Sequence, residues 1–530
     1  MGKVLKRTDK FTKAEKSWIL YDWANSVYAT NIMAAIFPTI FVSMAGESGD
    51  MWWGYGTSIA TFIIAVLAPI LGAAADYKGM KKKLFTVFML LGVVFTLVLS
   101  FTNDWRIMLA VYVVSRIGFA GSNLFYDSFL TDVTTNERMD KVSSWGYAMG
   151  YIGGSTIPFI MSIAMLLLLG YSNPIAQKFS IIITSVWWLV FSVPFIKNVH
   201  HVHYKDTDSR PTIKQVFANV GNTLKDIMTE KGMMLFIIAY FFYIDGVGTI
   251  ISVSTAYGTA LGLGAVGMIL ALLITQIVAM PCSILFPRLA KKISTRRALM
   301  FAISVYMFIC FVGFMMGFTL EPHQAAYNNA YKTHTETSIS NISVEFEDKA
   351  SSDKFLHDYM LKSRPLIRDE KDEDLRKLEL TWEGISAKDA DNALIAQEEL
   401  YNKNLAFAKD NEGKINDYRK AQKTSTVLFW AMAILVGTVQ GGIQATSRSY
   451  FGKLIPKERS NEFFGFFDIF GKFASVVGPL LYSFVAGITG RSSYGTLCLL
   501  VLFIVGLVIL KGAKKPLEEL ELSRAKQEAI

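Results

Sequence analysis

Stretches of about twenty predominantly apolar residues recur along this chain, and each is long enough to cross a hydrocarbon layer of about 30 Å as one helix. They begin near Trp18, Trp52, Leu84, Trp105, Ser143 and Ser180 and, after a polar stretch from Lys197 to Lys231, near Met233, Ala265, Ala298, Thr424, Phe463 and Ser493. A backbone in hydrocarbon must satisfy its own hydrogen bonds, so the expected fold class is all-α integral membrane, with twelve transmembrane helices in two six-helix halves. Composition agrees: only 18% of residues are charged, against about 25% in soluble domains. A disordered chain is excluded and a cytosolic enzyme disfavoured.

Lys and Arg resist translocation, so their loop distribution predicts orientation. One side carries Lys78, Lys81, Lys82 and Lys83, then Arg138 and Lys141, then Arg288 to Arg297, then Lys453, Lys457 and Arg459. The opposite loops, 46–50, 102–104, 170–178 and 257–264, hold Lys178 as their one basic residue. Both termini are therefore expected in the cytoplasm, at the plasma (bacterial inner) membrane. Residues Met1 to Lys16 are polar and basic and run straight into a full-length span, so no cleaved signal peptide is expected. Lys6 stands where a myristoylation motif on Gly2 wants Ser or Thr.

Six spans plus six suggest a duplicated half. A shift of 321 residues lays Gly121 on Gly442, Asn123 on Gln444, Ser128 on Ser449, Glu137-Arg138 on Glu458-Arg459 and Pro158 on Pro479 without a gap. Earlier, the basic turn Asp76–Lys83 matches Ala290–Arg297 with a shift of 214, and the difference of 107 measures an insertion between spans nine and ten. The chain thus divides into an N-terminal half (1–196), a cytoplasmic central loop (197–232), a C-terminal half (233–319 and 424–512), an extracytoplasmic insertion (320–423) and a cytoplasmic tail (513–530). From Glu321 to Thr424 there are 21 acidic and 16 basic residues, net −5, which leaves +14 on the rest of a chain whose net charge is +9. That excess is a topology signal and an attraction to anionic headgroups, so membrane lipids are expected partners and nucleic acid is not. Within the insertion, Asp389 to Lys423 has apolar residues and charges at helical spacing, as in a solvated helical cap. The alternative is a gating domain or the docking site of an extracytoplasmic partner.

Gly465 to Lys472 has its glycines one residue too far apart for a nucleotide loop, with Phe473 in place of Ser or Thr, so an ATP-driven pump is not expected. All six histidines lie outside the apolar runs; His200, His201 and His203 could grip a metal, but a plain loop explains them. Cys282, Cys310 and Cys498 lie in or beside spans as small apolar filler. No enzymatic activity, cofactor or metal is expected.

Charges inside spans are costly and therefore point to function. Asp245 sits near midplane in span seven, in Tyr240-Phe241-Phe242-Tyr243-Ile244-Asp245-Gly246, where both tyrosines could share its hydrogen bonds and a desolvated carboxylate could exchange protons. Arg116, in the middle of span four, is a candidate partner for Asp245 or for a substrate carboxylate. Asp22, Asp127, Arg448 and Asp468 lie toward span ends, where Asp468 can pair with Lys472 and Arg448 can reach Asp468; these read as a cytoplasmic gate or as packing pairs. Asn31, Asn123, Tyr147, Tyr151, Gln276, Gln440 and Gln444 could line a cavity or bond between helices. Gly146, Gly150 and Gly154 permit close helix approach.

With twelve spans in two halves, the stretch Gly72-Ala73-Ala74-Ala75-Asp76-Tyr77-Lys78-Gly79-Met80-Lys81-Lys82 resembles the loop motif of the major facilitator superfamily. The resemblance implies that Asp76, Lys78 and Lys81 join a cytoplasmic charge relay that holds the outward-facing state. Tyr21-Asp22-Trp23-Ala24-Asn25-Ser26, Phe125-Tyr126-Asp127-Ser128-Phe129-Leu130 and Ser144-Trp145-Gly146-Tyr147 are similar to the branch called UMF1 or Atg22-like, whose fungal members are associated with amino-acid efflux from the vacuole. The span-five glycines are similar to the superfamily's antiporter motif without its Pro after Gly150, and Ala120 stands where the span-four pattern has Gly. The expectation is a secondary active transporter working by alternating access, proton-coupled, moving a small-molecule substrate such as an amino acid in the efflux direction. The alternatives are a lipid or amphiphile flippase of the same fold, and a membrane receptor acting through the outer insertion.

Overall fold

The computed structural model describes residues 10–155, 157–205, 213–263, 265–347, 349–378 and 389–528. Gly2 and Lys6 lie outside the described residues. Twelve helices are long and apolar enough to cross a membrane, and no strand occurs among the described residues. Span one (Lys13–Ala45) starts five residues before Trp18 because Thr12 caps it. The Thr12 side chain accepts from Glu15 N, and the Glu15 side chain accepts from Thr12 N. The same span passes through a π-helical stretch at Ala29–Ala35, the kind of bulge that concentrates at functional sites.

Spans nine (Thr295–Ser340) and ten (Glu412–Leu454) are single helices of 46 and 43 residues. At 1.5 Å per residue each is about 65–70 Å long, twice the hydrocarbon thickness. The boundaries at 319/320 and 423/424 therefore fall inside continuous helices, and the insertion grows out of the spans without a hinge. Two further helices, Lys349–Arg368 and Ala390–Asp410, pack between these extensions. Their core is aromatic, built on Tyr327, Tyr331, Tyr359 and Phe407. Tyr327 and Tyr331 donate to the carbonyls of Arg364 and Met360 at 2.6 and 2.9 Å, which satisfies the buried hydroxyls. Gln324 donates to Ala260 O and Gln422 to Gly262 O, tying the insertion to the turn between spans seven and eight.

The hydrogen bonds that cross between the halves cluster at the end of the bundle that carries the basic turns and the central connection, called the basic end below. Ser143 donates to Ala445 O at 2.8 Å and Ser128 to Asn461 Oδ1 at 2.5 Å. Gly72 is needed here: a Cβ at that position would lie 2.3 Å from Asn461 O. The basic end is thus the closed end.

Candidate functional site

The closed end is built from residues near the ends of spans one, two, four and five facing spans ten and eleven. Arg448, buried in span ten (Glu412–Leu454), donates through Nη1 to Asp127 Oδ1 at 2.8 Å, lies 3.5 Å from Asp22 Oδ2 through Nη2, and donates from Nε to Ser143 Oγ at 3.0 Å. Its guanidinium also lies within 6 Å of the rings of Trp18, Tyr126 and Tyr147. A buried cation thus meets two carboxylates from the other half and three aromatic faces, a set that offsets its desolvation. Arg448 does not turn to Asp468, which lies twenty residues further along the chain and is held by Lys472 on its own helix.

Asp76 caps the basic end of span two (Met51–Ala75) and accepts from Asn461 N, Asn461 Nδ2 and Glu462 N at 2.9, 2.7 and 3.1 Å. Lys81 is buried and bonds Asp132 at 2.7 Å and, across the halves, Ser460 at 3.2 Å. Lys78 instead is exposed and lies over the Tyr204 ring at 5.4 Å. The mirrored cluster is Asp140, which accepts from Ser449 Oγ and Lys453 Nζ at 2.6 Å each. Ser128 and Ser449, Asp132 and Lys453, and Asp140 and Asn461 are pairs under the 321-residue shift. Sequence reasoning missed Asp132, Asp140, Ser143, Lys453, Asn461 and Glu462; the shift carried a signal for two pairs of them, Asp132 with Lys453 and Asp140 with Asn461, because it lines up polar residues at matching span ends. It carried none for the central connection. There Val202 N and His203 N donate to Asp132 Oδ1 at 3.0 and 2.8 Å, and Lys205 pairs with Glu462. Beside them His201 packs against Phe129 and Tyr204, and burial pushes its imidazole down to about 4.

At mid-depth, Asp245 is buried and accepts from Gly478 N at 2.9 Å and Thr249 Oγ1 at 3.5 Å, while its Oδ2 has no partner among the described residues. Thr249, four residues on, shares its helix face; Tyr240 and Tyr243 do not. Tyr243 bonds Ser447 at 2.7 Å and Tyr240 stacks on Phe467, so neither tyrosine bonds Asp245. Gly478 permits the close approach, since a Cβ there would sit 1.9 Å from Thr249 Oγ1.

Arg116 lies nine residues, two and a half turns, beyond lipid-exposed Ile107 and so points into the bundle. It is half-buried, donates to Tyr112 OH at 3.2 Å, and has no carboxylate within 4 Å among the described residues. Arg116 and Asp245 therefore do not pair; each keeps partners within its own half.

The remaining polar residues divide. Asn31 Nδ2 donates to Ser162 and Thr184 at 3.1 and 3.0 Å, and Asn123 accepts from Asn25 at 2.5 Å, so both bond between helices. Tyr147 belongs to the Arg448 cage, and Tyr151 lies across the halves against Gly441. Gln444 is half-buried near the gate. Gln276 and Gln440 rim a cavity of about 120 Å³ inside the C-terminal half, whose walls include Ile250, Val253, Met432 and Val436. The buried Oε1 of Gln276 has no hydrogen-bond partner among the described residues. Among the described residues no group of His, Cys, Asp and Glu is arranged to hold a metal.

A membrane bundle of two pseudo-symmetric halves, held together at one end by buried polar contacts, is the architecture of a transporter of the major facilitator superfamily. Solved structures agree in fold: a bacterial homologue of the iron transporter ferroportin in an outward-facing state has a TM-score of 0.54 at 11% identity and covers 95% of this chain and 98% of that one. The proton:xylose symporter XylE reaches 0.51 at 9% identity, covering 94% and 93%.

Within that class the chain belongs to the Atg22-like family. The model of that family, described as "Vacuole effluxer Atg22 like", matches residues 51–330 and 424–516 and so leaves out 331–423 of the insertion. Relatives include "Uncharacterized MFS-type transporter YxiO" of Bacillus subtilis, 38% identical over 94% of this chain and 95% of that protein. "Autophagy-related protein 22" of Cryptococcus neoformans is 21% identical over 75% of this chain and 55% of its own length.

Proposed function

We propose that this transporter moves a small amphipathic solute bearing a carboxylate, such as an amino acid, by proton-coupled alternating access in the efflux direction. The observation that carries the reading is Arg116: a guanidinium aimed into the N-terminal half, with no carboxylate beside it among the described residues, is suited to bind an anionic ligand. The cavity edged by Gln276 and Gln440 supports an apolar group on the same solute. About 120 Å³ lined by aliphatic side chains is close to the roughly 150 Å³ of a dry engineered cavity that takes up benzene. Asp245 supports proton coupling, because a buried carboxylate oxygen without a donor is costly when charged and relieved when protonated. By the distribution of Lys and Arg the basic end faces the cytoplasm. Efflux is supported by the description of the family model as an effluxer.

The test is electrophysiology on supported membranes with purified protein, screening amino acids, sugars and amphiphiles with and without a pH gradient. The expected result is a pH-dependent current for carboxylate solutes, lost in Arg116→Gln for all substrates and uncoupled from pH in Asp245→Asn. Currents from uncharged solutes alone, or undiminished proton-driven flux in Asp245→Asn, would overturn the reading. Lipid scrambling without solute currents would favour the flippase.

A further inference from the structure

The helix Ile213–Thr229 connects the two halves at the basic end and shows three different faces. Val216, Thr223 and Ile227 are buried against spans two, seven and eleven. On this side Asn219 donates to Tyr77 OH at 3.2 Å and Thr223 to Glu462 Oε2 at 2.7 Å, so the helix holds the side chain of a residue whose backbone N–H donates to Asp76. One flank carries Asp226, which pairs with Arg459 at 2.6 Å and so turns toward the start of span eleven. The opposite flank carries Phe217, Leu224 and Met228, which are 55%, 43% and 56% exposed. These three recur at spacings of seven and four and form one stripe. Asp226 and Leu224 point nearly half a turn apart, so the apolar stripe looks away from the start of span eleven.

We propose that this stripe is a membrane-contacting surface: the helix lies in the bilayer interface at the basic end, with Phe217, Leu224 and Met228 at the boundary between headgroups and acyl chains. Two observations select lipid as the occupant. The helix packs on the basic end of span two, whose outer face carries exposed Phe62 and Val66, so the stripe lies beside a span with an exposed apolar face. Exposed Lys225 borders the stripe, and exposed Lys78, Lys83 and Lys231 lie at the same end, which suits anionic headgroups. Three large side chains held against lipid would fix the helix in place, and through Thr223 and Glu462 the bilayer would bear on the gate.

The test needs no variant. The unmodified chain in nanodiscs of phosphatidylcholine and phosphatidylglycerol, doped with a phosphatidylcholine carrying a diazirine near its carbonyl, is photolysed and the adducts are mapped by mass spectrometry. Phe62, 66% exposed in span two, serves as the lipid-facing control, and Leu394, 56% exposed in the insertion, as the aqueous one. Adducts at Phe217, Leu224 and Met228, within a few-fold of Phe62 while Leu394 stays unmodified, are expected. Adducts confined to the spans would overturn the proposal, whether the stripe is then covered by water or by a second copy. As a second measurement, nitroxides at Leu224 and Asn222 should separate: Leu224 relaxed more by oxygen, Asn222 more by an aqueous nickel chelate. Equal aqueous exposure at both would also overturn it.

Discussion

Arg448 donates to Asp127 at 2.8 Å, and the two residues are separated by 321 positions, the repeat shift itself. Residues related by a pseudo-twofold axis can touch only where that axis passes, so this ion pair marks it at the closed end. Identical residues there would face each other as like charges; divergence to Asp in one half and Arg in the other turns repulsion into a clamp. Removing Arg448 leaves Asp22 and the partly exposed Asp127 facing each other without their cation, at a cost of up to about 3–5 kcal/mol. Arg448→Gln should therefore lose most transport and lower the thermal midpoint, whereas the exchange of Asp127→Arg with Arg448→Asp should recover part of both. Currents and thermal unfolding of the two variants beside the unmodified chain check this, and wild-type behaviour of Arg448→Gln would refute it.

Gly72 lets span two approach Asn461 so closely that any side chain must push the halves apart at the basic end. Gly72→Val should shift the population toward an open basic end while leaving each half folded. Ser144, buried beside the gate, reports this as Ser144→Cys: thiol labelling from the basic end should rise severalfold in the Gly72→Val background. Unchanged labelling would mean that the contact is not part of the gate.

His201 is held neutral by burial and by the Lys81 cation, with Asp132 acting in the opposite direction, and its imidazole is pushed down to about 4. An unfolded imidazole titrates near 6.5, so below that pH the undocked connection binds a proton that the docked one does not. The docking of residues 199–205 should weaken as pH falls from about 6.5 and level off near 4. Thermal unfolding between pH 8 and 5 should show a loss that His201→Phe removes; an identical pH profile in the two proteins would exclude His201 as its source.

Among the described residues the insertion is tied to the C-terminal half, through Gln324 and Gln422 on the turn at 260–262 and through Glu321 on Arg491 and Ser493. It should move with that half as one rigid body. Spin labels at Leu394 and Ile488 are expected to keep one distance under all transport conditions, while Leu394 to Tyr171 in the N-terminal half shifts by several ångströms. The double variant Gln324→Ala with Gln422→Ala should broaden the first distribution. A Leu394 to Ile488 distance that changes with substrate in the unmodified background would separate the insertion from the C-terminal half.

Much of this was legible in sequence. Span count, halves and insertion follow from local apolar length and the two repeat shifts, because each span must bury its own backbone within about twenty residues. The loop around Asp76 was found by its motif, and Asp245 and Arg116 by their cost in hydrocarbon. The partners were not legible. The tyrosines beside Asp245 are near in sequence and bond elsewhere, whereas Gly478, 233 residues away, donates to it. Spans nine and ten looked as if they ended where their apolar runs ended, yet their helices continue through charged residues, since helix formation needs no apolar face once tertiary packing covers it.

The sequence by itself determined that this chain crosses a membrane twelve times in two related halves, because hydrocarbon imposes its demand on each segment separately. Only the tertiary structure decided which carboxylates Arg448 meets, that residues 199–205 dock onto Asp132 and Glu462 at the closed end, and that Ile213–Thr229 leaves an apolar stripe exposed. Those outcomes depend on how two rigid half-bundles and their connection dock, and that docking is settled by contacts hundreds of residues apart.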